Sequence, residues 1–229
     1  MSGSVVRDLE IVPDAEAVAR RGAAVVAASA RDATLARERF TFGVSGGRTP
    51  WAMFELLATE DLPWEGVGIW QVDERVAPDG DPDRNLTTVA PILPSAADLH
   101  PMPVTDADLD AAAARYAASL PEVFDLIHLG MGDDGHTASL VPGDPVLDVR
   151  DRDVAVTGEY RGRRRMTLTY PALTRARLVL WLIDGADKAA MVPRLVAADA
   201  SIPAGRVDAP RQLIVADEAS AGSAARSRA

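Results

Sequence analysis

Phe124-Asp125-Leu126-Ile127-His128-Leu129 is an apolar run that stops at Gly130-Met131-Gly132-Asp133-Asp134-Gly135-His136. A short run of this kind, closed by glycine, reads as a strand buried on both faces. The polar cluster behind it then sits where the strand leaves its sheet. The same transition occurs twice earlier. Phe40 to Val44 runs into Ser45-Gly46-Gly47, and Val67 to Val72 runs into Asp73-Glu74-Arg75. Working outward, Arg7 to Val12 reads as a first strand, and Asp14 fits the N-cap of an Ala-rich helix over 15–39. Helices are expected over 49–58, with Pro50 tolerated in the first turn, and over 85–93 and 107–120. Strands follow over 153–157, 166–169, 178–183 and 213–215, with a helix over 186–198 before the last. This alternation predicts an α/β fold, an open and mostly parallel sheet with helices on both faces. Ligands of such sheets bind outside the carboxyl ends of the strands, so the three clusters share one edge. A single domain over 1–229 is expected, with Ala77–Arg84 as a polar surface loop and 219–229 as a frayed tail.

Composition narrows the function. The chain carries 34 acidic and 24 basic residues, net charge −10, and no cysteine. The missing thiols exclude disulfides, thiolate metal sites and a cysteine nucleophile. The acidic balance argues against nucleic acid as a partner. No stretch reaches the roughly 18 apolar residues of a membrane span, and the first residues do not read as a secretion signal. A soluble cytoplasmic protein with no membrane partner is therefore expected. Lys188 is the single lysine, and every other basic residue is arginine.

Five clusters can carry chemistry. Ser45-Gly46-Gly47-Arg48-Thr49-Pro50 joins a strand to a helix, and glycines before a helix N-terminus offer free N–H groups to a phosphate. The competing view is a tight turn with Thr49 as cap. Asp73-Glu74-Arg75 could position a substrate or stabilise an oxyanion, with Arg75 the natural partner of phosphate or carboxylate. Otherwise it is a solvated charge cluster. His136 stands among glycines and acids at a strand exit, where an imidazole can act as base near neutral pH. Asp134 can fix its tautomer. His100 reads as a loop residue, and His128, inside an apolar strand, as core. Lys188 in the first turn of a helix opposes the helix dipole, which suits a nearby anion; otherwise it is a solvated surface lysine. Arg161 to Arg165 reads mostly as a solvated hairpin edge, and Arg165, closest to the strand, is the one expected to turn inward. One histidine with scattered carboxylates offers no metal-ligand spacing.

Taken together, Val44-Ser45-Gly46-Gly47-Arg48-Thr49-Pro50, Val72-Asp73-Glu74-Arg75 and Leu129 through Leu140 (LGMGDDGHTASL) resemble the 6-phosphogluconolactonase family. That family lies within a group that includes glucosamine-6-phosphate deaminases. Arg165-Met166-Thr167-Leu168-Thr169 and Gly185 with Lys188 match more weakly. The resemblance implies a Rossmann-like sheet and hydrolysis of 6-phospho-D-glucono-1,5-lactone, without metal or organic cofactor. The substrate is a small sugar phosphate, and the chain is expected as a monomer or small homo-oligomer. In the implied mechanism His136 is the base, Asp134 orients it, and Arg75 serves the oxyanion, with Asp73 positioning either Arg75 or a sugar hydroxyl. Ser45, Gly46, Gly47, Arg48 and Thr49 then cradle the phosphate with Lys188 and Arg165. The deaminase branch resembles Asp-Glu-Tyr where Arg75 ends the second motif here, and carries a glutamate where this chain has Val141. Both differences favour the lactonase. A sugar-phosphate-binding protein without catalysis is the non-enzymatic alternative. Arg84 precedes Asn85 where the lactonases resemble Ser-Asn, which leaves the role of Asn85 open.

Overall fold

The computed structural model describes residues 6–222 and 224. Its strands in chain order are β1 (Val6–Val12), β2 (Phe40–Val44), β3 (Val67–Gln71), β4 (Asp73–Arg75), β5 (Asp98–His100), β6 (Phe124–Leu129), β7 (Val154–Val156), β8 (Arg165–Leu168), β9 (Ala176–Ile183) and β10 (Arg211–Asp217). Seven of them form one sheet in the order β1-β10-β9-β6-β2-β3-β5, and every pairing in it is parallel. The open α/β sheet expected from the alternation of elements is therefore present.

Alternate side chains of each central strand feed two cores. Val179, Trp181 and Ile183 of β9 face one core, while Leu180 and Leu182 face the other. The second core is closed by α1 (Ala15–Arg37) and α2 (Arg48–Ala58). The first is covered by α4 (Leu109–Ser119), α5 (Tyr170–Leu173) and α6 (Val192–Val196); a short α3 (Asn85–Val89) lies elsewhere. Asp14 caps α1 by accepting from the Ala17 N–H at 2.8 Å.

β2 and β6 lie side by side, yet the chain runs from β2 outward to β3 and β5 before returning to β6. This reversal is a topological switch point, where the loops behind two neighbouring strands diverge and leave a crevice. A second, three-stranded antiparallel sheet, β4-β8-β7, stands beside it. Val72 joins the two sheets: its N–H donates to Val44 O at 2.7 Å, and its own carbonyl accepts from Leu168 N at 2.8 Å.

Several expected elements differ. Asp73-Glu74-Arg75 is not a loop cluster but strand β4, because it finds β8 as partner. The helix over 186–198 is broken into a 3-10 turn at Ala186–Lys188 and α6, with Pro193 at the start of the latter. The helix from Asn85 ends at Val89. The tail expected to fray from 219 instead begins with α7 (Glu218–Ala221), where Ser220 and Ala221 are buried; 225–229 lie outside the described residues. Among the described residues no helix is long and apolar enough to cross a membrane.

Candidate active site

A cavity of about 410 Å³ opens at the carboxyl edge, between the loops that follow β2 and β6. Of the eleven residues singled out from the sequence, ten line it: Ser45, Gly46, Gly47, Arg48, Thr49, Asp73, Arg75, His136, Arg165 and Lys188. Asp134 stands behind His136.

Behind β2 the chain enters α2 through Gly47, the N-cap, at φ 139°. No side chain caps this helix, and its first turn holds no carboxylate. The Arg48 and Thr49 end of α2 therefore presents uncapped N–H groups to the cavity. Thr49 is not the cap. It lies inside the helix, and its hydroxyl donates to Asp184. At Gly46 any side chain is excluded, because a Cβ would stand 2.0 Å from Asn85 Oδ1.

Behind β6, the Gly132–His136 turn closes on itself through Gly132 N to His136 O at 2.8 Å. Asp134 Oδ1 accepts from the His136 backbone N–H at 3.0 Å and meets His136 Nδ1 at 2.6 Å. Nδ1 thus carries the proton, leaving Nε2 as the acceptor. A Cβ at Gly132 would lie 2.1 Å from His136 Nδ1, so the close ring packing requires glycine. Burial alone would raise the Asp134 pKa. The His136 hydrogen bonds and charge, with one from Tyr160, outweigh burial and hold the carboxyl below its ordinary value.

The DER strand divides its labour. Asp73 accepts from Ser45 Oγ at 3.1 Å and Ser139 Oγ at 2.7 Å, so hydroxyls rather than Arg75 hold it. Of the two tasks expected for Asp73, positioning Arg75 or a sugar hydroxyl, the first finds no direct bond to Arg75 among the described residues. Arg75 donates to Asp83 O at 2.6 Å and Asn85 Oδ1 at 2.9 Å. Asn85, whose role the sequence left open, also donates from Nδ2 to Asp73 O at 3.0 Å and so links both members. Glu74 is fully buried and points away from the chemistry. It accepts from Gln71 Nε2 and the N–H groups of Arg75, Asn85 and Leu86, capping α3.

Arg75 and Arg165 are direct partners across the β4–β8 pair. Like charges placed opposite each other repel unless an anion lies between them. Arg165 is buried, its guanidinium lies 5.1 Å from the Tyr160 ring, and its Nε has no hydrogen-bond partner. Burial lowers its pKa; Asp73 opposes that shift, while Arg75 adds to it. Lys188 closes a 3-10 turn rather than opening an α-helix, so the dipole conflict expected there does not arise. It lines the cavity paired to the Asp187 carboxylate.

The profile of the family described as glucosamine-6-phosphate isomerases/6-phosphogluconolactonase matches residues 13–216. The chain belongs to this family. It is 40% identical over 167 residues to a 6-phosphogluconolactonase of Synechocystis sp., covering 66% of this chain and 69% of that protein. It is 33% identical over 197 residues to a 6-phosphogluconolactonase of Nostoc sp., covering 80% of this chain and 82% of that protein. Among solved structures, a 6-phosphogluconolactonase from Shewanella baltica superposes with a TM-score of 0.83 at 25% identity, covering 95% of this chain and 99% of that one.

Three features of this family member's cavity escaped the sequence. Asp184 and Arg161 line it, and Tyr160 donates to Asp134 Oδ2 at 3.3 Å. Arg161 and Tyr160 lie in the arginine-rich hairpin, which reads from sequence as a solvated edge. Only the β7–β8 turn brings its tip over His136.

Proposed function

We propose that this chain hydrolyses 6-phospho-D-glucono-1,5-lactone to 6-phospho-D-gluconate, the second step of the oxidative pentose phosphate pathway, with His136 as general base. The observation that carries the mechanism is the 2.6 Å contact between His136 Nδ1 and Asp134, at the wall of a cavity rich in arginine. Nε2 takes a proton from water as the water oxygen attacks C1 of the lactone. The carbonyl oxygen becomes an oxyanion, and Arg75, braced by Asn85 and Asp83, stabilises it. The bond from C1 to the ring oxygen then breaks, and His136 returns its proton to that oxygen. Asp73, held by Ser45 and Ser139, accepts from a sugar hydroxyl. The 6-phosphate rests on Ser45, Gly46, Gly47, Arg48 and Thr49, with Lys188 and Arg165 supplying positive charge. Binding at that remote end orients C1.

The position of the deaminase glutamate supports the lactonase over its sister activity. Val141 stands there, and it is buried. The same reading assigns the work to a single cytoplasmic domain, monomeric or in a small homo-oligomer, and the family match over 13–216 supports one domain. Freshly made lactone added to the pure protein, with 6-phosphogluconate followed by a coupled dehydrogenase, tests the activity. Hydrolysis no faster than the spontaneous rate refutes it, and ammonia release from glucosamine 6-phosphate would transfer the chain to the sister branch.

A further inference from the structure

The hairpin between β7 and β8 ends in a two-residue turn. Tyr160 N donates to Arg163 O at 3.0 Å, and Arg163 N to Tyr160 O at 3.3 Å. The central residues, Arg161 and Gly162, have φ of 52° and 77°. Positive φ at both centres is the type I′ geometry that matches strand twist. Arg163 then ties the tip to the 77–84 loop through Asp81 at 3.0 Å and Asp83 at 3.1 Å. Tyr160 is therefore held from both sides.

From that position its hydroxyl donates to Asp134 Oδ2 at 3.3 Å. Its ring stands 5.6 Å from the His136 ring, edge to face. The guanidinium carbons of Arg161 and Arg165 each lie 5.1 Å from its centroid. Burial first, then the Asp134 carboxylate, raises the phenol pKa, which keeps the O–H as a donor. Asp134 thus spends Oδ1 on His136 and Oδ2 on Tyr160. With both oxygens engaged, rotation of the carboxylate away from the imidazole breaks both contacts.

We propose that Tyr160 is a positioning residue for lactone hydrolysis: its hydroxyl locks Asp134 against His136, and its ring spaces Arg165 and Arg161 at the cavity wall. This rests on the assignment of His136 as base, and it makes the hydroxyl and the ring separable. The hydroxyl acts on turnover, because it orients the base. The ring acts on substrate binding, because it sets two cations.

The test uses the full chain with freshly made 6-phosphogluconolactone. Tyr160→Phe should lower kcat roughly 3- to 10-fold with KM unchanged within twofold, since a bond to the carboxylate at 3.3 Å is long and is worth about that factor. Tyr160→Leu should lower kcat equally and also raise KM several-fold. In an Asp134→Asn background, Tyr160→Phe should have no further effect. Circular dichroism and thermal unfolding of each variant separate loss of fold from loss of alignment. A Tyr160→Phe enzyme with wild-type kcat, or one whose defect persists unchanged beside Asp134→Asn, overturns the proposal. His136→Ala measured in the same series keeps the two claims apart. If it is inactive while Tyr160→Phe is normal, only the role of Tyr160 fails; if it is fully active, the assignment of the base fails.

Discussion

His136 is placed by neighbours that leave it little freedom: a carboxylate on Nδ1, a glycine under the ring and a tyrosine edge beside it. Loss of the imidazole should therefore cost turnover. His136→Ala is expected to lower kcat roughly 100-fold or more, measured after subtraction of spontaneous lactone opening. Gly132→Ala tests placement rather than chemistry. The new methyl group would stand 2.1 Å from Nδ1 and displace the ring. A displacement of an ångström can cost about 100-fold in rate, so kcat should fall in a protein that still folds. A Gly132→Ala enzyme with unchanged kcat would show that the ring is not held where it matters. If Lys188 holds the phosphate as proposed, Lys188→Ala should raise KM roughly 10-fold with kcat little changed. An unchanged KM removes Lys188 from the phosphate site.

At the level of elements, Glu74 shows why the DER strand can carry chemistry at its two ends. Its buried carboxylate accepts from four donors and caps α3, which holds Asn85 against Asp73 and Arg75. Glu74→Gln turns an amide NH2 toward two of those donors. It should destabilise the fold by about 3 kcal/mol, read as a lower urea midpoint at unchanged slope. The sequence made the long parallel strands legible, because strands such as β6 and β9 are apolar along their length and end at glycine. It also made ten lining residues legible, because each sits just past such a strand or at the start of the next element. Short antiparallel pieces were not legible. Asp73-Glu74-Arg75 has no apolar alternation, and it becomes a strand only because β8 lies beside it. Tyr160 was hidden for the same reason, since its contact to Asp134 spans 26 residues and depends on that second sheet. The helix expected over 186–198 had a local warning in Pro193, which suits the first turn of a new helix; the chain breaks just before it, between Lys188 and Val192.

Across the whole molecule, the acidic net charge and the arginines gathered at the cavity are separate facts. Net charge governs solubility and long-range repulsion, whereas a small anion is held by local groups. The two cores meet along the sheet, and His128 lies buried there with both ring nitrogens unpartnered. Burial pushes its pKa down from 6.5 to about 3. The unfolded chain then takes up a proton that the folded one refuses. Stability is full above pH 6.5 and declines as pH falls toward 3, by about 1.4 kcal/mol per pH unit. Between pH 7 and pH 5 this amounts to about 2 kcal/mol. His128→Leu should flatten the fall by that amount in urea unfolding at the two pH values; an identical pH dependence in the variant would contradict it. The most direct test of the molecule's function remains the rate at which it opens fresh 6-phosphogluconolactone. The intact chain should accelerate opening far above the spontaneous rate, and His136→Ala should lose nearly all of that acceleration while keeping affinity for 6-phosphogluconate. No acceleration by the intact chain, or full acceleration by His136→Ala, would contradict catalysis by His136 in this cavity.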